Sequence, residues 1–79
     1  MKVKPSVVIN DTGFVFNPET GDSFSVNTLG LELIRQLEEE RDVETLRKFL
    51  SRKFTVSMAT LRKDLDDFLR MLKDNKIIE

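Results

Sequence analysis

The chain has 79 residues, with 13 basic and 14 acidic side chains, a formal net charge of −1, and neither histidine nor cysteine. That length allows one domain, residues 1–79, with a thin core, and the near-neutral charge argues against a surface that coats nucleic acid. The missing residue types exclude a disulfide framework, a thiolate metal site and the commonest acid–base group, and no apolar run approaches the ~20 residues of a membrane span.

The opening MKVKPSVVIND is too short and too charged for a signal peptide, so a cytoplasmic protein is expected. Within it Val7, Val8 and Ile9 are all β-branched and favour a strand over about residues 6–10. Asn10 to Gly13 carries turn chemistry, and Phe14-Val15-Phe16 is a second apolar run, giving a strand at 13–17. In Asn17-Pro18-Glu19-Thr20-Gly21, Pro18 presets the turn and Gly21 suits the left-handed residue that closes a short hairpin. Ser23-Phe24-Ser25-Val26 then alternates, giving a third strand at 22–26 with Phe24 and Val26 on one face and the two serines on the other. The pattern is an antiparallel β-meander whose apolar face is expected to be built from Phe14, Phe16, Phe24 and Val26.

The remainder is helical. Asn27 is a candidate N-cap for a helix carrying Leu29, Leu33, Ile34 and Leu37, and Glu38-Glu39-Glu40 sets carboxylates against the negative end of that helix. Asp42 caps a second helix with a Val43, Leu46, Phe49 and Leu50 stripe; Phe54-Thr55-Val56 reads as extended. Ser57 caps the longest helix, about 58–75, with Met58, Leu61, Leu65, Phe68 and Leu72 on its apolar face and Leu69 beside them. Ile77-Ile78 is expected to tuck onto the core. Three strands followed by three helices make an α+β domain, and the last two helices form a helix-turn-helix pair.

Few residues offer chemistry. Asp64, Asp66 and Asp67 are the densest carboxylate group, but on a helix Asp64 and Asp67 diverge by about 60° and Asp66 projects elsewhere. Interleaved Arg62, Lys63 and Arg70 favour solvated ion pairs over a metal or catalytic site. Arg41, Arg47, Lys48, Arg52 and Lys53 make the second helix basic, which reads as a solvated face before a site for an acidic partner. The helix-turn-helix pair raises DNA binding, yet its second helix would offer three aspartates to a polyanion, and only Lys76-Ile77-Ile78-Glu79 follows where a β-wing would be needed. No phosphate loop and no base-activated nucleophile is present, so no catalytic residue, metal or cofactor is expected.

The third strand is the remaining candidate. Between Ser23 and Asn27 it carries no charge, proline or other device that normally blunts an exposed strand edge. If its far edge is open, an extended peptide can pair there. If the first strand lies on that side instead, the third strand is central and closed. Periodicity does not decide between them.

The run 14-FVFNPETGDSFSVNTLG-30, a Leu/Ile-rich helix, and 54-FTVSMATLRKDLDDFLRMLKDNKII-78 together resemble the PqqD-like family, the type case of the RiPP recognition element. The shared features are a Pro-x-Thr-Gly turn, a strand ending in Val-Asn, a glycine early in the first helix, and Asp64-Leu65-Asp66-Asp67-Phe68-Leu69-Arg70-Met71-Leu72 in the last. The resemblance implies a winged-helix-like, non-catalytic domain without DNA binding. It would grip the leader of a ribosomally made precursor peptide and present that peptide to a modifying enzyme, often a radical-SAM maturase. Carried to this chain, the peptide would add beside Ser23, Phe24, Ser25 and Val26, mostly through backbone, and lie against the last helix at Arg62, Asp64, Leu65 and Leu69. Leu61, Leu65, Phe68 and Leu72 lie on the apolar stripe and read first as core; Arg62, Leu69 and Lys73 occupy one flank, Asp64 and Met71 the other, and the spacing leaves open which flank faces the peptide. Many members carry a tryptophan where Ile34 stands, and the segment before the first strand is short here; both favour a relative serving a peptide pathway other than pyrroloquinoline quinone synthesis. The alternatives are a helix-turn-helix DNA-binding module and a small structural domain that dimerises through the third strand; the protein would be a monomer or homodimer, with no membrane partner.

Overall fold

The computed structural model describes residues 1–55 and 57–79. Its elements run β1 (Val8–Ile9), β2 (Phe14–Asn17), β3 (Asp22–Ser25), α1 (Thr28–Glu38), α2 (Val43–Lys53) and α3 (Met58–Asp74), an α+β order with the strands first. Of the expected extended stretch 54–56, Phe54 has extended backbone and Val56 lies outside the described residues.

Each helix begins where a short polar side chain can accept from an amide that the helix leaves unpaired. Asn27 Oδ1 accepts from the Gly30 N–H at 2.8 Å, Asp42 Oδ1 from Thr45 at 2.8 Å, and Ser57 Oγ from Thr60 at 3.2 Å. The Thr45 amide, and then its hydroxyl, hold the Asp42 carboxyl below the ordinary carboxylate range. α1 stops in the glutamate run, with Glu39 as its C-cap and Glu40 in the left-handed region at φ 60°.

The three strands pair antiparallel in the order β1-β2-β3. β3 is therefore an edge strand, and the arrangement with the first strand on its far side is not adopted. The register also corrects the expected apolar face. Ile9 lies opposite Val15, and Val15 opposite Phe24, whereas Phe16 lies opposite Val8 and Ser23, and Phe14 opposite Ser25. Partners that face each other share a face of the sheet. Val15 is therefore the fully buried member of the Phe14-Val15-Phe16 run, while Phe14 is 41% exposed. Phe24 and Val26 do face inward, but Phe14 and Phe16 share the outer face with the serines. A continuous apolar run does not reveal which parity is buried, and a shift of one residue exchanges the faces.

Two contacts at the ends of β2 secure this register. Gly13, at φ +92°, brings its carbonyl to the Val26 amide at 2.9 Å, and a Cβ there would stand 2.4 Å from the Val26 oxygen. Asn17, 1% exposed, donates from Nδ2 to the carbonyls of Asn75 and Lys76 at 3.3 and 3.1 Å and accepts from the Glu19 amide at 3.0 Å. It ties the end of β2 to the C-terminal end of α3.

The core lies under the sheet's inner face. Val15 joins Leu33, Ile34 and Leu37 of α1, Leu46 and Leu50 of α2, and Leu61, Leu65, Leu69 and Leu72 of α3. Ile77 and Ile78 complete it, 1% and 4% exposed, with Val3 bridged to Ile78 and the Lys4 amide donating to the Ile77 carbonyl at 2.9 Å.

Candidate functional site

In an antiparallel ladder alternate residues turn both backbone groups toward the partner strand, and those between turn theirs away. The Val26 N–H donates to the Gly13 carbonyl of the β2 segment at 2.9 Å. Val26 and Phe24 thus face β2, and Ser23 and Ser25 turn their N–H and C=O groups to the opposite side. Among the described residues no strand lies there. Both serine side chains are exposed on the outer face and are too small to obstruct an approaching chain.

Next to this edge is a groove of about 410 Å³ between the end of β3, the start of α1 and α3. Val26, Leu33, Leu50, Leu65 and Phe68 supply its apolar lining, and Asp64 and Thr60 are its polar members on α3. Gly30 makes the groove possible. A Cβ on Gly30 would stand 3.0 Å from the Val26 Cβ and 3.4 Å from Phe68 Cε1, so the missing side chain lets α1 sit close to both. Near the other end of the strand, Asn17 pairs with Asp22 across the ladder and donates to the Asn75 and Lys76 carbonyls just past the end of α3. α3 therefore runs antiparallel to β3, with Phe68 near Val26 and Asn75 near Asp22.

The expected contact residues fall into three groups. Val26, Asp64 and Leu65 line the groove, and Phe24 is half-buried on the inner face of β3. Ser23 and Ser25 offer their backbone at the open edge. Arg62 is exposed but does not line the groove, and Leu69 is buried in the core at 8% exposure. The groove is thus walled by the Asp64 flank of α3. Leu33, Leu50 and Phe54 also line it and were missed as site residues. Both leucines belong to stripes that read as core; Phe54, 41% exposed just past a basic helix end, was the one visible signal.

Some charged groups outside α3 pair with each other, whereas among the described residues no charged side chain of α3 does, so the ion pairs expected between its aspartates and Arg62, Lys63 and Arg70 are not formed. Arg47 bridges Glu44, Arg41 pairs with Glu39 at 3.2 Å, and Lys53 reaches Glu32 at 2.9 Å and stands 5.2 Å from the Phe49 ring centre. Among the described residues no three His, Cys, Asp or Glu side chains are gathered to hold a metal, and no helix is long and apolar enough to cross a membrane.

An unpaired strand edge that supplies a backbone ladder, beside a groove that selects side chains, is the architecture of small peptide-docking modules. The chain belongs to the PqqD family: the model for coenzyme PQQ synthesis protein D (PqqD) matches residues 12–78. Two solved structures share its fold. One is TbiB1 in complex with the TbiA(beta) leader peptide, 28% identical, with a TM-score of 0.87 over 100% of this chain and 95% of that one. The other is a lasso peptide synthetase B1 complexed with the leader peptide, 16% identical, with a TM-score of 0.83 over 99% of this chain and 95% of that one. No curated protein matches the chain.

Proposed function

We propose that this protein is a non-catalytic adaptor that binds the leader of a ribosomally made precursor peptide. The leader adds as a fourth strand on the free edge of β3, lies in the groove against α3, and is thereby held for a modifying enzyme. The adaptor acts where precursors are released from the ribosome, in the cytoplasm. The observation that carries this reading is the outward-turned backbone of Ser23 and Ser25 beside an apolar groove. The 28% identical TbiB1, whose structure is a complex with a leader peptide, supports it. Backbone pairing supplies affinity with little sequence demand, and the groove supplies selectivity.

The test is Ser25→Pro. Proline lacks the N–H and is tolerated on a strand edge where that group faces away from the sheet. The variant should keep its fold by circular dichroism and its denaturant midpoint, yet lose at least about tenfold in affinity for the leader, a cost of about 1.4 kcal/mol. In an NMR titration of the wild-type protein with the candidate leader, shifts should cluster at residues 22–27 and on α3. A folded variant that binds as tightly as wild type, or shifts confined elsewhere, would overturn the strand-addition site.

A further inference from the structure

Among the described residues, Asp64 is the one charged side chain lining a mostly apolar groove, whose other polar members are Asn27 and Thr60. It is exposed, and among the described residues it makes no ion pair. Asp67, next to Phe68, and Asp22, at the start of β3, are also exposed and without an ion pair among the described residues, as are Lys63 and Arg70, but none of these four lines the groove, so its charge is that of Asp64. Arg62 and Lys73 of α3 stand on the flank away from the groove lining.

The spacing adds a geometric constraint. Asp64 precedes Phe68 by four residues, one turn, which separates them by about 6 Å along the helix axis. Residues two apart on a β-strand point to the same face and lie about 6.7 Å apart. A strand laid along α3 can therefore place one side chain over Phe68 and the next on that face beside Asp64.

We propose that the groove selects a peptide with a large apolar residue and a lysine or arginine two positions apart, the apolar one on Phe68 and the cation on Asp64. This rests on the strand-addition reading above and names the peptide class it takes. Asp64 is exposed at the rim of the groove, so the pair is worth about what a rim ion pair is, and the neighbouring apolar walls lower the local dielectric and strengthen it somewhat. The same walls raise the cost of a glutamate or aspartate at that position, so discrimination comes from repulsion as well as attraction. The order of the motif follows from topology. Asp64 lies beyond the Val26 end of β3, so a peptide running antiparallel to β3 presents cation-x-apolar, and a parallel one presents apolar-x-cation.

The experiment is selection of a displayed library of random short peptides on the immobilised full-length protein. Wild type, Asp64→Lys, Asp64→Asn and Ser25→Pro are each checked for fold by circular dichroism. Wild type should enrich lysine or arginine two positions from a large apolar residue by about fivefold over the library, the size of one rim ion pair. Asp64→Asn should lose the cation and keep the apolar preference, and Asp64→Lys should enrich aspartate or glutamate at that position. Peptides that need Ser25 but show no cation preference, or the same preference in Asp64→Lys, overturn this inference and leave the strand-addition reading intact. Recovery of the same peptides by folded Ser25→Pro, or of none by wild type, overturns both.

Discussion

Asn17 shows how one side chain can set the geometry of a site it does not touch. It ends β2, faces the buried side, and divides its amide between the last two carbonyls around the α3 terminus and the Glu19 amide. Because Asn17 pairs with Asp22 on β3, this clamp sets how far the end of α3 stands from the start of the edge strand. In the sequence it reads only as a turn residue before Pro18, since its partners lie 58 and 59 positions away. Asn17→Ala would leave two carbonyls without their donor. A buried polar group left unpaired costs about 1–3 kcal/mol, and that loss is expected in urea unfolding. The backbone amides of Lys76 and Ile77 should exchange faster with solvent in the same variant, since the α3 end is then untied from the sheet.

Elements whose signals are local were legible in the chain. The three N-caps, the hairpin closed at Gly21 and the end of α1 in its glutamate run all depend on residues within four positions of each other, and each stands where it was expected. What was not legible depends on distant partners. The parity of Phe14-Val15-Phe16 follows from pairing with β1 and β3; the openness of β3 follows from where β1 docks; the flank of α3 that walls the groove follows from the sheet's position. Gly30 joins both kinds of signal, because a glycine early in a helix is visible while the neighbours that require it are not. In Gly30→Ala the gain in helix propensity is roughly 0.5–1 kcal/mol, and crowding a packed site costs about 1–3 kcal/mol. Crowding prevails, because the nearest atom is the Cβ of Val26, whose backbone is tied to Gly13. The expected result is a net loss of up to about 2 kcal/mol, with weaker leader binding as Val26 and Phe68 are forced apart. Trimming Phe68 to Leu in the same chain should recover part of both losses, a coupling that a double-mutant cycle measures.

The molecule as a whole gives the free edge of β3 little structural work. Of the residues in the three strands, Val15 and Asn17 are fully buried; the other buried positions of the core belong to the helices and to Ile77 and Ile78. β3 is held by β2 and by the half-buried Phe24 and Val26, so pairing a new chain to its outer side disturbs nothing the core needs. The closing element is instead the C-terminal segment, which pairs with the N-terminal one through Val3 and Ile78 and the Lys4 amide, while the Glu79 amide donates to the Lys2 carbonyl at 2.9 Å. A domain this small has a stability near the lower end of about 5–15 kcal/mol, and truncating one buried isoleucine to alanine costs about 2–5 kcal/mol. With a loss in the lower part of that range, about 2–3 kcal/mol, Ile78→Ala should remain folded but melt about 8–24 °C lower by circular dichroism. Ile77→Ala with Ile78→Ala removes two adjacent core side chains and should leave no cooperative transition above 25 °C. If leader binding is coupled to this fold, saturating leader should raise the melting temperature of Ile78→Ala, because a ligand bound only by the folded state adds its binding free energy to stability. A melting temperature in that variant unmoved by the leader would mean that the peptide binds a part of the chain that does not depend on the closed core.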